Sequence, residues 1–332
     1  MGSKPPQNRL GEFALIAQLF APLAAKTSGA FGLTDDAAVL QLPEGRELVV
    51  TVDTLVEGVH FLRQDPAELV AKKALRVNLS DLAAKGATPL VYLLTIALPE
   101  WADNAWLTRF TSGLASDQEQ FGIGLLGGDT ITTPGPLVLT IVAMGHVAKG
   151  RMIRRAGAKP GDRVFVSGSV GDAGAGLALL KDEGGAFGAP AREALIARYL
   201  LPEPRVALGL LLVGIASAAL DVSDGLLADL GHIAEVSKVR ILIEAARVPM
   251  SAPLRHFLAS DPEPAMRAAS AGDDYEIAFT APQSARAQLD SVARETGTDI
   301  HEIGRVEEGA GIALLDAQGR PLPVARTGFT HF

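Results

Sequence analysis

Cysteine is absent from this 332-residue chain, which excludes disulfides, thiolate metal sites and cysteine nucleophiles together. An excess of positive charge is absent too. The formal net charge is −8, and a nucleic-acid surface ordinarily needs a basic patch. No apolar run is long enough for a bilayer: the longest, Val206 to Leu220, has 15 residues and includes Ser217, which predicts a buried helix running into a strand. The opening MGSKPPQNRL lacks the apolar core of a signal peptide. No Gly-Lys dipeptide exists, so there is no Walker A loop, and H-E-x-x-H is missing as well. GIGLLG (122–127) matches G-x-G-x-x-G, but GDT follows it where a helix should begin, which rules out a dinucleotide fold. The expectation is a cytoplasmic protein that engages neither nucleic acid nor membrane.

What is present is ordinary for a soluble globular protein, with 48% hydrophobic and 20% charged residues. The length exceeds what one core usually serves, so two domains are expected. The basic, turn-rich KGRMIRRAGAKPGD (149–162) suits a boundary. It divides a disordered tail (1–11) and an N-terminal domain (12–150) from a C-terminal domain (151–332). EGGAFGAP (183–190) reads as an exposed loop. Elements of both kinds alternate, giving an α/β fold. Glu12 to Phe20 predicts a short amphipathic helix. ELVVTVDTLV (47–56) predicts a strand with Thr51 and Asp53 on one face and Val50 and Val52 on the other. DPAELVAKKALRVNLSDLAAKGATP (65–89) is the clearest helix, with Asp65 as N-cap, Pro66 in the first turn and Gly86 as left-handed C-cap. LVYLLTIAL (90–98) and LVLTIVAMGHV (137–147) are strands flanking a further helix.

Aspartates gather at element ends: Asp35, Asp36, Asp53, Asp81, Asp129, Asp221, Asp224, Asp273 and Asp274. Any one of them is explained by a cap or an Asx-turn; the set is harder to dismiss. Asp81 lies on a helical stripe with Val70, Ala74, Val77 and Ala84 that is otherwise apolar. A carboxylate there needs a Lys or Arg partner, or a metal. LLGGDT (125–130) reads as a tight turn. In ALDVSDGL (219–226), Asp221 and Ser223 share a strand face and Asp224-Gly225 opens a helix whose amides suit a phosphate. VSGSVGDAGAG (166–176) could cradle an anion, although a plain strand-to-helix connection explains it equally.

GLTDDAAVL, TVDTLVEGVHF, NLSDLAAKGATP, LLGGDT, RAGAKPGD, LDVSDGLLADLGHI, AGDDYE and GFTHF occur here in order. In this the chain resembles the thiamine-monophosphate kinase family, from about Gly11 to Phe332. The resemblance implies a PurM-like fold of two α/β domains, with the N-terminal sheet domains pairing in a homodimer. It implies ATP as co-substrate, several Mg2+ ions, and phosphorylation of thiamine monophosphate to thiamine diphosphate. Matched motif positions suggest Asp36, Thr51, Val52, Asp53, Asp81, Asp129, Asp221 and Asp224 as Mg2+ ligands. They suggest Phe121, Gly128, Asp129, Arg155 and Ser223 as ATP contacts, and His60, Asp273 and Phe329 as contacts to thiamine monophosphate. Of the opening acidic pair, Asp36 is expected on metal, facing Asp53 and Asp81, with Asp35 either holding the turn or reaching a different ion.

The chain departs from the family in three places. Thr34 stands where Gly is usual and Asp273 where Glu is frequent. Val52 replaces a common Thr and could reach a metal only through its carbonyl. The chemistry is coherent all the same: phosphoryl transfer asks mainly for positioning and charge neutralisation. An acceptor that is itself a phosphate is largely dianionic at neutral pH, so no general base is required. An aminoimidazole ribonucleotide synthetase-like enzyme and a catalytically silent Mg-nucleotide-binding dimer are the alternatives.

Overall fold

Strand alternation and helical stripes sort the described residues into two compact units, one of residues up to 82 with 88–150, the other of 83–87 with 151 onward. The structure is a computed structural model describing residues 9–181, 188–323 and 327–329. Most of the expected tail, residues 183–187 of the expected loop and the last three residues of GFTHF lie outside the described residues. Arg9 and Leu10 are anchored: Arg9 Nη1 donates to Pro99 O at 3.0 Å, and Leu10 N donates to Asn104 Oδ1 at 3.0 Å.

The first unit begins with α1 (Glu12–Leu15) and α2 (Ala21–Ala24), joined by a π-helical turn over Ile16–Phe20. β1 (Arg46–Val56), α3 (Ala67–Ala84), β2 (Thr88–Leu98), α4 (Asn104–Phe121), β3 (Gly124–Thr132) and β4 (Val138–Ala148) follow. The sheet order is β1-β4-β2-β3. The β2–β3 pair is parallel and the others antiparallel, as a helical crossover through α4 requires. LLGGDT therefore lies inside β3 and is not a tight turn. Gly128 serves close strand approach instead: a Cβ there would stand 1.8 Å from Leu94 O.

Helix α3 runs as expected, ending at Gly86 with φ +65°. Asp65 does not cap it; its carboxylate turns back to accept from Leu62 N at 2.7 Å. A buried ion pair fixes α3 against α4, where Arg76 Nε and Nη2 reach Asp117 at 2.7 and 3.0 Å. Such a pair adds little net stability but is costly to break, so it holds the azimuth of α3, and with it Asp81.

The second unit comprises β5 (Arg163–Ser167), α5 (Asp172–Leu180), α6 (Ala189–Leu200), α7 (Val206–Leu212), β6 (Ala218–Asp221), α8 (Leu226–Ser237), β7 (Arg240–Glu244), α9 (Ala252–Phe257), α10 (Pro264–Ala269), β8 (Ile277–Ala281), α11 (Arg286–Thr296), β9 (Ile300–Glu307) and β10 (Gly311–Leu315). The sheet order is β10-β7-β9-β5-β8-β6. The apolar run from Val206 is α7 leading into β6, as read from the sequence. Both faces of this sheet are covered. Val164 and Val166 join one cluster with Leu179, Leu227, Leu230 and Ile233. Phe165, between them, joins the other with Phe279, Leu208, Leu212 and Leu289. Near-continuous apolar strands are what burial on two faces produces.

Candidate functional site

In the first unit, Thr51 and Asp53 share a face of β1, as the alternation predicted, while Val50 and Val52 are exposed on the other. Any part Val52 plays must therefore come from its main chain. Thr51 Oγ1 donates to Asp81 Oδ2 at 2.5 Å, linking β1 to α3. Burial first, and the Asp81 charge second, push the Asp53 carboxyl up to about 7. Among the described residues no Lys or Arg pairs with Asp81. Two carboxylates and a hydroxyl, with no cation to relieve them, form an oxygen-only donor set suited to a hard divalent ion.

Asp36 and Asp129 belong to a different group. With Asp35, Gly127, Gly128, Leu94 and Ile96 they line a cavity of about 540 Å³. Among the described residues no three acidic or imidazole side chains gather closely enough to hold a metal. Asp36 thus sits on the cavity, and the Asp53–Asp81 pair stands without a third carboxylate. That is no obstacle to Mg2+, which commonly takes one or two carboxylates and completes its shell with water and phosphate oxygens.

The acidic pair divides its labour. Asp35 Oδ1 accepts from Asp36 N at 2.8 Å and so holds the turn. Thr34, at φ −111°, needs no glycine; the left-handed positions are Phe31, Gly32 and Leu33, at φ +49°, +64° and +59°. Thr34 fits because this negative φ, in the bridge region, is open to an L-residue. Phe121 does not line the cavity. It ends α4 with the Arg76 guanidinium 5.2 Å from its ring centre. His60, in the turn after β1, accepts from Val56 N through Nδ1 at 3.0 Å, which leaves Nε2 as the N–H donor.

In the second unit, backbone bonds bring three separated motifs together. Asp273 N donates to Ser223 O at 2.8 Å, Tyr275 N to Val222 O at 2.8 Å, and Phe329 N to Asp224 O at 2.9 Å. A Cβ on Gly272 would stand 2.6 Å from Ser223 O, so only glycine permits this approach. Asp221 ends β6, and Ser223 lies beyond the strand; the two do not share a strand face. Asp273 and Tyr275 have φ +66° and +52°, a strained pair of the sort that clusters at functional sites. The Tyr275 hydroxyl donates to Asp273 Oδ1 at 3.1 Å, steadying the shorter acid. Phe329 lines a pocket of about 360 Å³ with Phe257, Leu254, Leu258 and Arg267. Arg155 is exposed, in the segment preceding β5.

The amides expected to serve phosphate are occupied. At α8, Ser223 N, Asp224 N and Gly225 N all donate to Asp229 Oδ2 at 3.0, 3.1 and 3.1 Å. Burial, then the Asp224 charge, push Asp229 up to about 7 against the pull of those amides. At α5, Gly171 N donates to Asp274 Oδ2 at 2.6 Å, and burial raises Asp274 well above the ordinary range. VSGSVGDAGAG is therefore a strand-to-helix connection filled by the protein's own carboxylate. Glu276 is fully buried and shared by Arg198 at 2.8 Å and Arg205 at 2.6 Å. The arginines hold it ionised against burial, the largest influence on it, and its pKa is lowered. Asp229 and Glu276 were missed in the sequence. The signal for Asp229 was the one that marked Asp81, an acid inside an apolar helical run.

The arrangement can be set beside known proteins. The family model described as AIR synthase related protein, N-terminal domain, matches residues 34–147, and that of the C-terminal domain matches residues 159–316. Fold and acidic turns thus define a two-domain α/β protein of the AIR synthase-related class. The thiamine-monophosphate kinase of Caulobacter vibrioides is 43% identical over 323 residues, 96% of this chain and 90% of that one. The crystal structure of thiamine-monophosphate kinase from Stenotrophomonas maltophilia K279a superposes with a TM-score of 0.84 at 42% identity, covering 94% of this chain and 98% of that one. AaThiL complexed with AMPPCP and TMP gives 0.76 at 34% identity, covering 97% of each. The chain belongs to the thiamine-monophosphate kinase family.

Proposed function

We propose that this protein transfers the γ-phosphoryl group of ATP to thiamine monophosphate, giving thiamine diphosphate and ADP. The observation that carries the reading is the likeness, at 34% identity over 97% of both chains, to AaThiL holding AMPPCP and TMP. AMPPCP is an ATP analogue, so that complex represents both substrates of a kinase. No helix among the described residues is long and apolar enough to cross a membrane; a cytoplasmic location suits a chain without thiols.

In the first unit, Asp53 and Asp81, with Thr51 and the main chain of Val52, are assigned to Mg2+. Asp36 and Asp129 are assigned to a further Mg2+ at the cavity, and in the second unit, taken by itself, Asp221 and Asp224 are assigned to Mg2+. When bound, Mg2+ neutralises phosphate charge and orients the phosphate oxygens. In the first unit Gly128 lets nucleotide approach the main chain of β3, and Phe121, off the cavity, is assigned to ATP by the family motif alone; in the second unit, taken by itself, Ser223 contributes a hydroxyl and Arg155 a guanidinium for a polyphosphate. In the first unit His60 is assigned to the thiamine monophosphate. Asp273 is an anion facing a cationic thiazolium, and Phe329 offers a ring face to stack on it. The acceptor oxygen already carries its negative charge, so transfer is direct and in line, with no general base assigned.

A homodimer through the first unit is part of the reading. Leu48, Val50 and Val52 on β1 are 42%, 54% and 58% exposed, and Met144 and Val142 of β4 lie beside the last two. A bare apolar sheet face of this kind fits a second copy. The test of the reaction is chromatographic: protein, ATP, Mg2+ and thiamine monophosphate are incubated and the thiamine compounds separated. Absence of thiamine diphosphate would sink the proposal.

A further inference from the structure

A single oxygen of Asp229 accepts from three consecutive amides, Ser223 N, Asp224 N and Gly225 N, at 3.0, 3.1 and 3.1 Å. Convergent amides of this kind form an anion nest, the device that elsewhere receives a phosphate at a helix start. Here the acceptor comes from the helix itself: Asp229 lies in the first turn of α8 and is 3% exposed. Gly225 takes φ 128° and ψ 144°, torsions essentially restricted to glycine, which persist only where surrounding bonds over-determine them. The carbonyls of the same turn receive Asp273 N and Phe329 N at 2.8 and 2.9 Å.

We infer that Asp229 is a positioning residue, a built-in carboxyl acceptor that sets the Asp221–Gly225 turn so that its side chains, rather than its amides, meet the nucleotide. The inference rests on the proposed reaction only in naming the nucleotide. The shape of the turn stands on the hydrogen bonds alone. Removing the carboxylate leaves three amides converging on an empty space, which a small external carboxylate can fill.

The test compares wild type, Asp229→Ala and Asp229→Asn, which keeps one acceptor oxygen. Amide exchange of residues 223–225 is followed by mass spectrometry, and Mg-ATP binding by calorimetry. For Asp229→Ala, exchange in the turn is expected to rise about tenfold and Mg-ATP binding to weaken about tenfold, as lost acceptors for buried amides imply. Added formate restores both, and Asp229→Asn recovers most of both. Two outcomes overturn the inference: unchanged exchange at 223–225 in Asp229→Ala, or a loss that neither formate nor Asn restores. A wild type that binds no Mg-ATP removes the kinase reading instead, and leaves the exchange comparison to decide the role of Asp229.

Discussion

Asp81→Asn removes one charge from the pair that joins α3 to β1, and two effects of opposite sign follow in the metal-free protein. Asp53 is raised from 3.8 to about 7, chiefly by burial and secondarily by Asp81. That whole rise is about 4 kcal/mol once the group is ionised. Asp81, the smaller cause, accounts for under about 2 kcal/mol of it, which the variant recovers. Against this, the bond from Thr51 ceases to be charge-assisted and loses about 1 kcal/mol. The two nearly cancel, so melting without metal should stay within about 4 °C of wild type. Magnesium reverses the picture. Residues merely supporting metal ligands are worth roughly 10–100-fold in affinity, so loss of a ligand should weaken Mg2+ by about a hundredfold or more. Thermal melts with graded MgCl2, alongside turnover, read both effects. A metal-free variant melting more than about 8 °C lower would make Asp81 a structural partner instead. An unchanged Mg2+ dependence of melting would equally remove its assignment to the metal.

Asp53 and Asp229 are both raised to about 7, so the folded state holds extra protons between roughly pH 4 and 7. Their contribution to stability therefore falls as pH rises through that window, and urea midpoints without Mg2+ should show this component fade when the pair is ionised; a profile unaltered by Asp53→Asn and Asp229→Asn together would contradict it. Glu276→Gln leaves Arg198 and Arg205 over a buried neutral group and should cost about 3–5 kcal/mol in denaturant unfolding. A loss under about 1 kcal/mol would show the cluster to be incidental. Gly128→Ala places a Cβ 1.8 Å from Leu94 O and should abolish nucleotide binding in calorimetry, with lowered stability from the displaced β2–β3 pair. Val50→Glu with Val52→Lys should shift sedimentation from dimer to monomer, and a dimer that survives both places the interface elsewhere.

Much of this was legible because it rested on periodicity. The period of two on β1 placed Thr51 and Asp53 together, and an acid in the apolar stripe of α3 marked Asp81. What was illegible depended on long-range pairing. LLGGDT carries turn-forming residues, yet parallel pairing with β2 makes it strand; no local signal distinguishes the two. The start of α8 looked open to phosphate because an N-terminus has unpaired amides. Asp229, four residues on from Gly225, supplies the partner, and an acid at that position could equally have pointed to solvent. The acidic pair was partly legible: adjacent residues diverge, so Asp35 was free to hold the turn. Which torsions would take the strain was not, and it fell on Phe31 and Leu33.

The proposed reaction couples ATP consumption to thiamine diphosphate formation. Protein, Mg2+, thiamine monophosphate and γ-labelled ATP should yield one labelled thiamine diphosphate per ADP, with no label on the protein and none released as phosphate. Labelled phosphate appearing at the same rate with or without thiamine monophosphate, and no labelled thiamine diphosphate, would contradict the account.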